Sequence, residues 1–599
     1  MQKNDRGFIR AGMAMIGACV GVYLCGWHIP LMEIDAVQYA NISREMMRSG
    51  HYLQVFDRGH DYLDKPPMLF WLSAFSMKLF GVSGWAYRLP SLLFGLLAIY
   101  STFRLASEFY RREIALLSAV ILASCQALFL INHDVRTDTM LMGWVTFSLW
   151  QLAAWYRTRS WRHWCLAAVA IAGGMMTKGP IALMVPVFCF GPHFLLQRSW
   201  RSFLRWELIP MIFLIAVLLL PMCIGLYEQY DLHPGKVING QPIRSGLRFF
   251  FWTQSFGRVT GESQWHENDS FFFLFQNMLW SFLPWILFFV IGLVSDIRHL
   301  FRNRWELSMQ EEWITTGGFL VTYCALGLSH YQLPHYLFVV FPLAAIISAK
   351  AFYRLFFFRA PLKGRRLLFI IHVVIFGLLW VALLLLLFVP FPAIGFFLKG
   401  AAVAAAAGWV WLLTRMGANE GDADERDADE RDADEREKEI RTDIKQEREK
   451  ATRTMTGRWK AGCPGLLLLT VYTVVGVNFF LDLGVYPALL DYQLSSVVIR
   501  EMRIRRISPE RLYPYRMDEE WALDFYTDHL YRHTSDPFAL APGSYILTNR
   551  KGLDSLGAHA GLDLVYTGGY FHVSTLDLPF LNPATRDSEL TPVYILERK

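Results

Sequence analysis

Charge is scarce in this sequence. Only 18% of its 599 residues are Asp, Glu, Lys or Arg, while 54% are hydrophobic. A soluble globular chain carries about 25% charged residues, so that class is set aside. Cysteine is sparse too. Cys19, Cys25, Cys125, Cys165, Cys189, Cys223, Cys324 and Cys463 all lie in or beside apolar runs, and none forms a C-x-x-C pair. Neither a zinc site nor a disulfide framework follows from that spacing. The formal net charge of +6 says little about substrate, because Lys and Arg placement in a membrane chain reports orientation.

Long apolar runs are abundant. Leu367 to Phe388 reads LLFIIHVVIFGLLWVALLLLLF, enough to cross a ~30 Å hydrocarbon core at about 1.5 Å per residue. Such a run must be helical, because lipid offers no water to satisfy backbone groups. The first run starts near Phe8 behind Lys3, Arg6 and Arg10, like a signal peptide. Cys25-Gly26-Trp27-His28 is a poor small-residue cleavage site, so the run reads as a retained signal anchor.

The sequence predicts a polytopic α-helical membrane protein with about 13 transmembrane helices and a cytoplasmic N-terminus. The spans fall at 8–28, 87–108, 114–132, 139–157, 162–178, 180–197, 206–227, 271–294, 313–329, 333–355, 366–388, 392–414 and 463–483. Loops on one side carry Arg111-Arg112, YRTRSWRHW, QRSWRSFLR, DIRHLFRNR, FRAPLKGRR and RTMTGRWK. The alternate loops, 29–86, 133–138, 228–270 and 330–332, hold acids and aromatics. Segment 67–83 is short and follows Pro66-Pro67. Counted as a crossing it would break the charge alternation, so it reads as a re-entrant or interfacial helix on the outer face.

The chain divides accordingly. Residues 1–414 form the membrane core, with long outer loops at 29–86 and 228–270. Residues 415–460 repeat DADER at 422–426, 427–431 and 432–436, a cytoplasmic low-complexity stretch, either disordered or a solvated helix with i,i+4 pairs. Residues 461–483 hold the last span. Residues 484–599 read as a small soluble α/β domain on the outer side. Its strands are expected at Tyr545–Leu547, Leu562–Tyr566 and Val593–Leu596, and a helix at Trp521–Asp528.

Chemistry-bearing residues gather at the outer ends of spans. Asp35, Tyr39 and Ile42 share a helical face. A carboxylate at an apolar rim can act as a general base or cap an interfacial helix. Tyr62-Leu63-Asp64-Lys65-Pro66-Pro67 sets a lysine on a rigid backbone, where it can neutralise a phosphate or snorkel. In Asn132-His133-Asp134-Val135-Arg136-Thr137-Asp138, Asp138 opens an apolar run and is the better functional candidate. The alternative is that Asp134 and Arg136 are solvated loop charges. Thr177-Lys178-Gly179-Pro180 reads first as a tight turn carrying one positive charge. Loop 228–270 brings Arg244, Arg248, Arg258 and His266, where arginines can bind phosphate. His330, Tyr331, His335 and Tyr336 stand at the outer rim or belong to an aromatic belt. A transporter buries polar groups near the midplane; here few charges fall inside spans.

These elements resemble the lipid-dependent glycosyltransferases of the protein O-mannosyltransferase and lipid A aminoarabinose transferase superfamily, which have the C-type membrane fold. The matching residues are Asp35-x-x-x-Tyr39-Ala40 with Ser43-Arg44-Glu45-Met46, Tyr62-Leu63-Asp64-Lys65-Pro66-Pro67 with Trp71, and Trp85-x-x-Arg88-Leu89-Pro90-Ser91. Asp138, Thr177-Lys178-Gly179 and Leu333-Pro334-x-Tyr336 continue the order up to about residue 345. The resemblance implies transfer of a sugar from a polyprenyl-phosphate donor to a lipid, glycan or protein acceptor, with inversion and no nucleotide sugar. It implies catalytic roles for Asp35 and Asp138, and donor-phosphate binding by Lys65 and Arg258. Tyr39, Tyr62, Asp64, Lys178 and His335 would line the site. It further implies a bacterial inner membrane, an extracytoplasmic C-terminal domain and no nucleic-acid partner.

The chain departs from the aminoarabinose branch at two places. Gln38 stands where that branch has Arg before the loop-one Tyr, and Gln254-Ser255 precedes Arg258 in place of an acid-His pair. No cofactor is required by this reading, and a divalent metal held by Asp64 and His266 stays open. Two other classes compete. A transporter or flippase of lipid-linked sugars predicts inverted repeats and midplane polar groups. A receptor or scaffold has no need of clustered acids in loop one.

Overall fold

In a computed structural model, the described residues are 3–203, 205–238, 240–255, 257–260, 270–308, 310–357, 362–437, 463–518, 520–557 and 561–599. The chain opens with α1 (Lys3–Cys25) and then α2 (Asp35–Ser49), which closes on Gly50 in the left-handed conformation at φ 74°. Next come α3 (Met68–Phe80), α4 (Gly84–Phe109), α5 (Arg112–Ala123) and α6 (Gln126–His133). After these run α7 (Thr137–Thr158), α8 (Trp161–Lys178), α9 (Ile181–Leu196) and α10 (Leu208–Leu226). Beyond loop 228–270 follow α11 (Ile286–Arg302), α12 (Ile314–Gly327), α13 (Phe341–Phe357), α14 (Leu362–Phe388), α15 (Phe396–Glu437) and α16 (Cys463–Phe480).

The protein is a helical, multi-pass membrane protein. Among the described residues seven helices are long and apolar enough to cross a membrane, or eight when α5 and α6, bent by 48°, count as one span. α3 spans 13 residues, about 20 Å at 1.5 Å per residue, and is too short for a ~30 Å core. The stretch expected as one span at 271–294 is two helices, Phe273–Ser281 and α11, with Pro284 in the gap, where it removes a backbone donor. The helix α15 continues from its apolar part through all the DADER copies.

Lipid is as apolar as leucine, so membrane helices associate by close contact. A Cβ on Gly143 of α7 would stand 2.6 Å from the Phe94 carbonyl of α4, and one on Gly173 of α8 would stand 2.7 Å from the Trp144 ring. Only glycine allows these helices to come so near. α13 is buried over Phe341–Ala349 and packs Phe352 against Phe288 at 5.0 Å between ring centroids. Polar pairs also sit inside the bundle. Lys350 Nζ lies 2.6 Å from Asp296 and 3.8 Å from Glu312, and buried His133 lies 3.2 Å from buried Asp482.

The C-terminal part holds a four-stranded mixed sheet. Its strands are β1 (Leu512–Tyr515), β2 (Tyr545–Asn549), β3 (Leu562–Tyr570) and β4 (Thr591–Arg598) in the order β1-β2-β4-β3. β1 runs parallel to β2, and the other pairs are antiparallel. Pro514 lies in β1, an edge strand, where a missing donor is tolerated. The helix α17 (Trp521–Thr527) follows β1. Buried Arg586 ties this part to the end of α14, donating to the carbonyls of Pro390 at 2.6 Å and Phe580 at 3.0 Å.

Candidate functional site

The site forms where α2, α3, α7, α8 and the segment before α13 converge. Asp35 is the first residue of α2, where a negative charge complements the helix dipole. It does not cap the helix: the N-cap position is Ile34 and makes no side-chain cap bond. Instead the Asp35 carboxylate accepts from Arg136 Nη1 at 2.5 Å, while Arg136 Nε donates to Asp134 at 2.7 Å. Asp134 and Arg136 are therefore not simply solvated loop charges. One guanidinium clamps two carboxylates, a geometry its planar fork suits. Tyr39, one turn beyond Asp35, is 3% exposed, and Tyr62 is 9% exposed. Both rings meet Phe70 edge-on, at 5.8 and 5.9 Å.

Asp138 lies in the first turn of α7 and is buried. Its Oδ1 accepts from Lys178 Nζ at 2.5 Å, and its Oδ2 lies 3.6 Å from His335 Nε2. Lys178 ends α8, and the turn after it needs Gly179 at φ 90°, a conformation that costs other residues. Turn and charge are thus one device: the turn delivers the lysine to Asp138. The ammonium also lies 4.1 Å from the Tyr336 ring centre, a cation–π contact. Arg88 is 1% exposed and donates to the carbonyls of Trp27, Ile29, Pro30 and His133. It holds the end of α1 to the segment carrying Asp134 and Arg136.

Two cavities meet at Lys65. One is lined by Asp35, Tyr39, Lys65, Arg136, Thr137, Asp138, Lys178, Leu333, His335 and Tyr336. The other is mostly apolar and runs past Tyr62, Leu63, Pro66, Pro67, Met222, Leu226 and Phe250. Lys65 lines both. A charged head and an apolar tail therefore have adjoining places, with a cation at the junction. Gln229 from loop 228–270 donates to the Val55 carbonyl and to Asp61, and Lys236 pairs with Asp61 at 2.7 Å. That loop is thereby held against loop one.

The structure brings Asp35, Tyr39, Lys65, Asp138, Lys178 and His335 to one cavity, with Tyr62 in the adjoining one. Asp64 lines neither; its carbonyl accepts from Gln254. The Arg258 side chain and His266 lie outside the described residues, as does any pairing of Asp64 with His266. Among the described residues, no group of three or more His, Cys, Asp or Glu could hold a metal ion. Sequence reasoning passed over the Arg136 clamp. Its signal was the spacing Asp134-x-Arg136-x-Asp138, an arginine flanked by acids at a span mouth.

The bundle and its site resemble those of membrane-embedded, lipid-dependent glycosyltransferases of the C-type superfamily. The likeness is to the group that joins the protein mannosyltransferases and the aminoarabinose transferases. Residues 64–226 match the family described as dolichyl-phosphate-mannose-protein mannosyltransferase. An undecaprenyl phosphate-alpha-4-amino-4-deoxy-L-arabinose arabinosyl transferase of Shewanella sediminis is 27% identical over 64% of this chain and 67% of its own length. A second transferase of that name, from Proteus mirabilis, is 26% identical over 53% of this chain and 55% of its own. Sequence likeness thus spans about half to two thirds of these relatives. The fold matches ArnT from Cupriavidus metallidurans at TM-score 0.66 and 16% identity over 97% of both chains, both in its apo state and bound to undecaprenyl phosphate.

Proposed function

We propose that this protein transfers a sugar from a polyprenyl-phosphate donor to an acceptor hydroxyl or phosphate, with inversion at the anomeric carbon. The observation that carries the reading is the junction of the two cavities at Lys65, with Asp35 and Asp138 facing the charged one. The lipid tail takes the apolar cavity and the sugar the polar one. The acceptor oxygen attacks the anomeric carbon as the bond to the phosphate oxygen breaks. Asp35 takes the acceptor's proton, and the polyprenyl phosphate departs with the bonding electrons. Lys65, with Arg258 arriving from loop 228–270, stabilises the leaving phosphate, the place where charge develops. Asp138, held by Lys178 and near His335, orients the sugar as a fixed anion. The transferase likeness in both sequence and fold favours this over a flippase.

The finer architecture goes with the proposal. The bundle crosses the bilayer about 13 times, the N-terminus is cytoplasmic, and the sheet of residues 484–599 stands on the same outer face as the site. The membrane is the inner membrane of a bacterium. The acceptor is a lipid, glycan or protein met on that face. The names of the relatives supply the first donor to try, undecaprenyl phosphate-4-amino-4-deoxy-L-arabinose.

The test is transfer by purified, reconstituted protein from that donor and from a panel of other undecaprenyl-phosphate sugars. With the productive donor, Asp35→Asn keeps an acceptor for Arg136 but loses the base. The rate should fall ~10²- to 10⁴-fold, about 3–5 kcal/mol of barrier. If every donor survives intact beside well-folded protein, the transferase reading fails, and flipping of the same lipids in liposomes becomes the assay that matters.

A further inference from the structure

The helix that carries Asp35 is gripped from behind by a helix almost 500 residues away in sequence. At about 100° per residue, Asp35, Tyr39 and Ile42 take one face of α2, Asn41, Arg44 and Arg48 take roughly the opposite one, and Gln38 lies on the flank between them. The first face looks into the charged cavity through Asp35 and Tyr39. The second meets α17. Asn41 Nδ2 donates to the Trp521 carbonyl at 2.6 Å, and Arg44 donates to the Asp524 carbonyl at 2.9 Å and to the Asp528 carboxylate at 3.0 Å. Arg48 holds both oxygens of Asp528, at 2.6 and 2.7 Å.

A second tie comes from the turn that follows α2. Arg58 pairs with buried Asp524 at 2.5 Å and lies 5.4 Å from the Trp521 ring centre. Trp521 Nε1 donates to Asp57 Oδ2 at 3.1 Å, and the same oxygen accepts from Gln38 Nε2 at 2.8 Å. Gln38 is therefore linked through one carboxylate to the indole of α17. Tyr526, on the same helix, accepts from the Leu31 amide just before α2. The side chains of Arg44, Arg58 and Asp524 are 8%, 10% and 1% exposed, whereas Arg48 and Asp528 stand at the exposed edge of the contact.

We propose that Trp521 and Asp524 of α17 are positioning residues for the transfer reaction, fixing α2 so that Asp35 and Tyr39 meet the reacting atoms. They touch no substrate. They act through Asp57, Gln38 and Arg58. The C-terminal sheet domain is then part of the catalytic apparatus, because a base misplaced by about 1 Å loses ~10²-fold in rate. This inference rests on the transferase reading, since it needs a base on α2 to position.

The experiment uses the full-length chain in detergent, as wild type, Trp521→Phe, Asp524→Asn and Asp524→Glu. Two quantities are read: kcat and donor KM with undecaprenyl phosphate-4-amino-4-deoxy-L-arabinose, or whichever panel donor the wild type uses, and amide hydrogen exchange over residues 35–49. The expected result is a kcat at least tenfold lower in Trp521→Phe and Asp524→Asn, with KM within twofold. Exchange should be faster in α2 while α4 and α7 stay protected. Asp524→Glu, which can still reach Arg58, should recover part of kcat. Unchanged kcat overturns the proposal, as does a loss in which KM rises equally or exchange rises through the whole bundle. A wild type inert on every donor sinks the transferase reading by itself. The exchange comparison still decides whether α17 holds α2, so the two failures are distinguishable.

Discussion

The pair Asp138–Lys178 allows a thermodynamic test that needs no substrate. The Asp138 side chain is 2% exposed, and that of Lys178 is 16% exposed. Replacing Lys178 by Met removes the ammonium 2.5 Å away and leaves a buried carboxylate with His335 at 3.6 Å and the Arg136 charge beyond it. Breaking a buried pair from one side costs about 3–5 kcal/mol, because the remaining charge has lost its water as well as its partner. Asp138→Asn is milder. Its amide keeps the shape, and the lysine still lies over the Tyr336 ring, so about 1–2 kcal/mol is expected. In the double variant no charge is stranded. It should be more stable than Lys178→Met alone, with an interaction energy of about 2–3 kcal/mol.

The assay is a double-mutant cycle by denaturant titration in detergent, followed by helical circular dichroism. The order of stabilities matters more than any one value: wild type, Asp138→Asn, double variant, then Lys178→Met. High salt should change this order little, because screening acts weakly on buried pairs. If the two single effects add to within about 0.5 kcal/mol, the two groups are not coupled, and the account of Asp138 as an anion held by Lys178 is wrong.

Arg136→Lys keeps the charge but has one nitrogen for two carboxylates now reached through Nη1 and Nε. Transfer should slow about a hundredfold through loss of alignment, while stability moves by less than about 1 kcal/mol at this partly exposed site; an unchanged rate would remove Arg136 from the mechanism. Glu33 lies just before α2, beside Glu520, with Asp518, Asp524 and Arg58 nearby, and burial pushes its carboxyl up to about 7, the hydrogen bond with Glu520 opposing the shift. A carboxyl raised in the folded state stabilises it fully at about pH 4 and loses that contribution as pH rises through about 7. Protection of α2 amides, taken relative to the intrinsic exchange rate at each pH, should therefore fall between pH 5.5 and 8, and Glu33→Gln should flatten that dependence; an equal slope in the variant assigns the effect to other groups.

Much of the bundle was legible because lipid imposes one rule on every span: apolar side chains outside, backbone bonds closed within the helix. Loop 29–86 was legible for a different reason. Its Asp35, Tyr39, Tyr62 and Lys65 need apolar walls and a rigid Pro-Pro to be useful, and those neighbours are adjacent in sequence. The strand Leu512–Tyr515 was not read, since Pro514 argues against a strand until its edge position is known. The polar groups inside the bundle escaped as well. Lys350 and Asp296 are 54 residues apart, and His133 and Asp482 lie farther apart still. Nothing local marks either as a pair.

The same limit explains Arg136 and α17. An arginine in His-Asp-Val-Arg-Thr-Asp reads as one more loop charge until the chain folds Asp35, 101 residues away, onto it. Arg44, Arg48 and Arg58 look like solvated basic residues until Asp524 and Asp528 arrive from 466 residues or more downstream. Groups that touch substrate must sit at one mouth of the membrane, and span periodicity reveals that mouth. Groups that hold them in place can come from anywhere in the chain, so only the folded contacts identify them. That asymmetry makes the α2–α17 interface the stronger place to test whether the C-terminal sheet takes part in transfer or merely covers the site.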